Sequence, residues 1–182
     1  VSTGVPSRQR ANAGLDQNPV TSSIIFREGA PSRDPQVLII ARNVTFNPCT
    51  DLPDDVLRST GVDPSTKRVT TDAAGSSSWR ICNWEAIDLP YYLSVASTSH
   101  TQEESRNNPK LTGFRDITIG PRQALIYQDK VDSRGNICYV SLPAAQGMFE
   151  VAASWRTSQP ITADRCELAV EHAKDLEPVL PK

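Results

Sequence analysis

No stretch of this 182-residue chain approaches the roughly 20 apolar residues that a membrane-spanning helix needs. The longest apolar runs are VLIIA at 37–41 and SIIF at 23–26. Charge of one sign is missing too: 19 basic residues stand against 21 acidic ones, which leaves no footprint for nucleic acid. Phosphate loops of the G-x-x-x-x-G-K-S/T or G-x-G-x-x-G form do not occur, and no G-x-S-x-G elbow presents a serine nucleophile. Zinc sites usually bring two ligands close in sequence. Here successive cysteines lie 33, 56 and 28 residues apart, and neither His100 nor His172 sits at ligand spacing from one. No metal, cofactor or catalytic residue is therefore expected.

What the chain does have is four cysteines, Cys49, Cys82, Cys138 and Cys166, spread along one domain's length of sequence. An even count in such a chain reads as two disulfides, with free thiols as the lesser alternative, and disulfides persist in oxidising compartments. The chain opens with no signal peptide. If the cysteines are oxidised, it is expected to be a mature form from which an export signal has been removed.

Residues 1–22 are polar and lack apolar periodicity, so they read as a disordered tether. A single domain is expected over 23–182, with an extended segment at 23–47 and a core at 48–177. Within the core, Asp51, Leu52 and Pro53 open a short helix to about Thr60, and Gly61 ends it. The run 63–78 reads as a loop. WRICNWEA (79–86) and YYLSVAST (91–98) read as a strand pair, with Cys82 and Trp84 on one face and Trp79 and Ile81 on the other. T-Q-E-E at 101–104 is a capping box for a brief helix. FRDITI, QALIYQ, ICYVSL and MFEVAASW follow as strands, and in the last Phe149, Val151, Ala153 and Trp155 alternate. A helix at about 164–176, capped by Asp164, closes the chain. Its expected buried stripe is Cys166, Ala169, Val170, Ala173 and Leu176. The class is α+β: a twisted antiparallel sheet with N- and C-terminal helices packed on one face.

Hairpin return places Trp155 beside the start of the 137–142 strand, which makes a Cys138–Cys166 bridge sterically easy and leaves Cys49–Cys82. Each loop of that size would stabilise by on the order of 3–4 kcal/mol. A cross-strand Cys82–Cys138 pairing competes with this solution.

Four pieces recur in order: Asn47-Pro48-Cys49 before a short acidic helix, Cys82-Asn83-Trp84 on a strand, Ile137-Cys138-Tyr139-Val140, and Arg165-Cys166-Glu167-Leu168-Ala169 opening a helix. In this the chain resembles, over about residues 45–177, an actinobacterial family of secreted lipoproteins classed as a domain of unknown function, of the mycobacterial LprB and LprC type. The resemblance implies export and acylation at an N-terminal cysteine. It thus implies a place on the outer face of the cell membrane, or in the secreted or cell-wall fraction. No cysteine precedes Cys49, so the anchor is not carried by this chain. The order of strands and terminal helices also looks like the Mog1/PsbP-like architecture, a likeness that licenses no function.

Candidates for chemistry all have simpler readings. His100 falls in a polar loop and His172 beside Glu171 and Lys174, both read as solvated. Asp54-Asp55 and Glu103-Glu104 sit in helix first turns, where the helix dipole favours them. Trp79, Trp84, Trp155, Tyr91, Tyr92, Tyr127 and Tyr139 read chiefly as sheet packing. Arg8, Arg10, Arg27, Arg33 and Arg42 read as a solvated tail. The expected function is a monomeric, non-catalytic envelope binding module for a lipid or protein partner, using a sheet face or cleft. An accessory spacer of a secretion assembly is the next reading and a cell-wall hydrolase the last. The hydrolase requires a histidine within hydrogen-bond reach of both a carboxylate and a serine.

Overall fold

Seven strands build one sheet in the computed structural model, which describes residues 44–72 and 78–182. They are β1 (Val62–Asp72), β2 (Trp79–Ala86), β3 (Tyr91–Thr98), β4 (Leu111–Ile119), β5 (Arg122–Asp129), β6 (Ile137–Ala144) and β7 (Gly147–Trp155). Across the sheet the order is β1-β2-β3-β7-β6-β5-β4, with every neighbouring pair antiparallel. Two meanders, β1–β3 and β4–β7, are thus joined edge to edge by the β3–β7 ladder. Four short helices accompany them: α1 (Pro48–Asp51), α2 (Asp54–Ser59), α3 (Gln102–Asn107) and α4 (Arg165–Leu176). The architecture is mostly β. No helix among the described residues is long and apolar enough to cross a membrane. The expected tether at 1–22, most of the 23–47 segment and the five N-terminal arginines lie outside the described residues.

Two expectations are corrected. The run 63–78 is not a loop throughout, because residues 62–72 form β1. Its Asp-Pro-Ser turn chemistry makes an irregularity in an edge strand instead of ending it. Asp63 Oδ1 accepts from the backbone N–H and the hydroxyl of Ser65 (2.9 and 2.7 Å), and Thr66 Oγ1 then accepts from Glu85 N (2.8 Å). Proline is tolerated at such an edge. The first helix is also two helices. Leu52, which precedes Pro53, is held extended (φ −81°, ψ 123°), as proline imposes on its predecessor. Asn47 caps α1, and Gly61 follows α2 at φ +84°.

Strand alternation sends one set of side chains into the core. Cys82 and Trp84, Leu93 and Val95, Val151 and Ala153, and Cys138 and Val140 form a single hydrophobic cluster with Leu52 and Leu57 and with Ala169, Ala173 and Leu176 of α4. Cys49–Cys82 (Cα–Cα 5.2 Å) ties α1 to β2, and Cys138–Cys166 (5.0 Å) ties β6 to α4. Such bridges indicate an oxidising environment. At the far end, buried Arg122 donates to Glu177 Oε1 (3.0 Å) and to the carbonyls of Pro143, Leu180 and Pro181 (2.7–2.8 Å). Glu177 also accepts from Lys182. These hydrogen bonds, Lys182 first and Arg122 second, hold its carboxyl below the usual range.

Candidate functional site

The opposite face of the same strands is differently furnished. Cross-strand register aligns Ile81, Ala96, Glu150 and Ser141 in one row, and Asn83, Ser94, Ala152, Tyr139 and Tyr127 in the next. Small side chains on β3 and β7 leave a depression between Trp79 and Ile81 on one side and the tyrosines on the other. Two adjoining cavities, of about 430 and 500 Å³, share Trp79, Tyr139 and Glu150 in their walls.

Glu150 stands on β7, the middle strand of the seven. Its carboxylate accepts from the Tyr127 hydroxyl. Burial pushes the carboxyl up to about 7; the tyrosine hydrogen bond opposes this and nearby Asp129 adds to it. Tyr127 and Tyr139 stack at 5.4 Å and 17°. Burial foremost raises both phenols, so both remain protonated donors.

His100 lies at the rim, on the segment leading into α3. Its Nδ1 is 3.1 Å from Glu104 Oε2 and its Nε2 is 3.2 Å from Ser78 Oγ, while the ring tilts over Trp79 at 5.4 Å. The Thr101–Glu104 capping box is formed, so the same Glu104 oxygen also accepts from Thr101 N (2.8 Å). Gly147, at φ +148° as the first residue of β7, lets this segment approach. A Cβ there would stand 2.6 Å from the carbonyl oxygens of Thr98 and His100.

His172 is elsewhere and is a correction: it is not solvated but 4 % exposed, on the buried side of α4. Among the described residues its ring bonds Tyr91 OH (2.6 Å) through Nε2, and buried Nδ1 has no partner. Burial lowers its pKa to about 4. Asp54 and Asp55 are exposed in the first turn of α2, and Glu103 in that of α3. The structure brings together Trp79, Tyr127, Tyr139 and His100 from the sequence candidates and adds Glu150 and Ser78, which sequence reasoning misses. Glu150 had a signal: a carboxylate in mid-strand whose same-face neighbours, Met148 and Ala152, are apolar. Among the described residues no group of three His, Cys, Asp or Glu could hold a metal ion.

No curated protein matches the chain, and no solved structure does. A family model described as "Protein of unknown function (DUF3558)" matches residues 3–178, nearly the whole length, and the chain belongs to that family.

Proposed function

We propose that the protein is an exported, envelope-associated binding module whose ligand seat is the depression on the open sheet face. The observation that carries this reading is the pair of adjoining cavities, floored by small residues and walled by Trp79, Tyr127 and Tyr139 around Glu150. Their size lies in the range of small-molecule sites, about 300–1,000 Å³. The cavities hold a compact group and not a long acyl chain, so a lipid would be held by its polar end. Two disulfides support export, and the likeness to secreted lipoproteins supports acylation upstream of the tether. The helices over the closed face fit a Mog1/PsbP-like arrangement.

Native mass spectrometry of the oxidised protein after exposure to a total envelope extract tests the seat. A retained mass that disappears in Ser94→Trp, which fills the depression, supports it. A retained mass that survives that substitution, or a bare protein from the wild type, removes it.

A second reading has its own observation, the Ser78–His100–Glu104 chain of contacts, which meets the geometric requirement of a hydrolase. It ranks below binding because the His100 and Glu104 side chains are 43 % and 60 % exposed. Solvent screens a carboxylate placed so, and its oxygen is shared with the helix cap. A fluorophosphonate adduct that is lost in Ser78→Ala would promote this reading; an unlabelled protein would end it.

A further inference from the structure

We infer that the seat takes a small organic cation, an alkylammonium group lodged between Trp79 and the stacked Tyr127–Tyr139 pair above Glu150. This rests on the binding-module reading and names its ligand class. Three observations converge. The walls present the part-exposed rings of Trp79 and Tyr139, the latter backed by buried Tyr127, and the quadrupole of an aromatic face attracts an ammonium within about 6 Å of the ring. Both tyrosines interact with carboxylates, Tyr127 with Glu150 and Tyr139 with Asp129, which directs their hydroxyl hydrogens away from the ligand and onto the acids. The larger charge balance is negative, with Glu104, Asp129 and Glu150 on the lining against Lys110 alone.

Other ligand classes fit less well. An anion would meet three carboxylates. A purely apolar group would leave Glu150 desolvated and unpaired with charge. A metal ion would need converging oxygen or nitrogen donors, and the described residues offer no such group. An ammonium satisfies the aromatic faces and the acid together.

The seat is also linked to pH. The groups facing Glu150 are Tyr127 and Asp129 from β5, Tyr139 from β6, His100 and Glu104 from the α3 region, and Lys110. With its carboxyl raised to about 7, Glu150 holds a proton in mildly acidic solution and must release it when a cation arrives. Affinity therefore rises with pH through 7, by about tenfold between pH 6 and 8. Glu150→Gln isolates the charge of this carboxyl, because the amide oxygen can still accept from Tyr127.

The test is a ¹H–¹⁵N NMR titration of the full oxidised chain with choline and, separately, with its neutral isostere 3,3-dimethylbutan-1-ol. Choline is expected to shift the Trp79 indole N–H and the backbone amides of Tyr139 and Glu150 saturably, with the isostere at least tenfold weaker. Glu150→Gln should weaken choline about tenfold at pH 8 and flatten most of the pH dependence. Equal response to both probes, shifts confined to other surfaces, or tighter binding of phosphocholine than choline overturns the cation. An envelope component retained in mass spectrometry without a choline response removes the cation but leaves the binding module standing. A bare protein with no choline response removes both.

Discussion

The two faces of this sheet are written in the same strands with different alphabets. On β7, Phe149, Val151, Ala153 and Trp155 enter the closed core, while Met148, Glu150, Ala152 and Ser154 form the open face. On β2, Cys82 and Trp84 alternate with Ile81 and Asn83 in the same way. Because neighbouring residues point oppositely, stability and recognition can occupy adjacent positions without sharing a side chain. The closed face is locked by two disulfides and packed helices; the open face spends small residues to make room.

The sharpest break of this comparison is between neighbours. Phe149→Ala should cost about 3–5 kcal/mol in urea unfolding, since it empties a fully buried site. Glu150→Gln, one residue away, should leave the fold intact at every pH. An equal loss from both would erase the division of labour.

The next effect sets the faces against each other in pH. Glu150 titrates near 4.5 unfolded and about 7 folded, so its contribution is complete below 4.5 and lost as pH rises through 7. His172, on the closed face, titrates near 6.5 unfolded and about 4 folded. Its contribution is complete above 6.5 and lost as pH falls towards 4. Each swing is on the order of 1–3 kcal/mol, and in the wild type they oppose one another over the same window. Glu150→Gln should give stability that climbs from about pH 4 to 6.5, the His172 window, and His172→Gln stability that declines from about pH 4.5 to 7, the Glu150 window; parallel profiles for the two variants would refute the opposition.

Gly147→Ala should cost about 1–3 kcal/mol, from positive φ and the close backbone of the His100 segment. It should also shift His100 ring resonances at a distance from the core. Smallest is Ala96→Ser in the floor of the depression, 3 % exposed, expected to cost at most about 1 kcal/mol by thermal unfolding because its hydroxyl enters the cavity. A larger loss would mean that the depression is packed by something.

Much of this was legible in local sequence. The bounds of β2 and β3 follow from period-two alternation, α3 from its capping box, and the Cys138–Cys166 contact from hairpin return. β1 was not legible, because Asp63-Pro64-Ser65 spells a turn whether it ends a strand or bulges one. His172 was not either: its neighbours Glu171 and Lys174 are polar, and only the position of Tyr91 beneath α4 reveals a buried imidazole. The open-face depression was the least legible part. Trp79, Tyr127 and Tyr139 are visible as strand aromatics, but the row that joins Ile81 and Ala96 to Glu150 exists only because β7 lies beside β3. No local pattern encodes that adjacency. Ser78 meets His100 through the β2–β3 hairpin instead, whose ladder runs past the Trp79–Thr98 pair to Ser99 N donating to Ser78 O.

That adjacency also sets the order of assembly. The β3–β7 ladder pairs Thr98 with Met148 and Tyr91 with Trp155, so the middle of the sheet closes over the longest loop between neighbouring strands. Until β7 has emerged from whatever makes or threads the chain, β3 and β6 each have an open edge, and Cys138 cannot be held beside Cys166. Closure over such a separation is slow relative to hairpin formation. The molecule therefore stays uncommitted until its last strand, a long interval in which an unfolded chain can be moved before it locks.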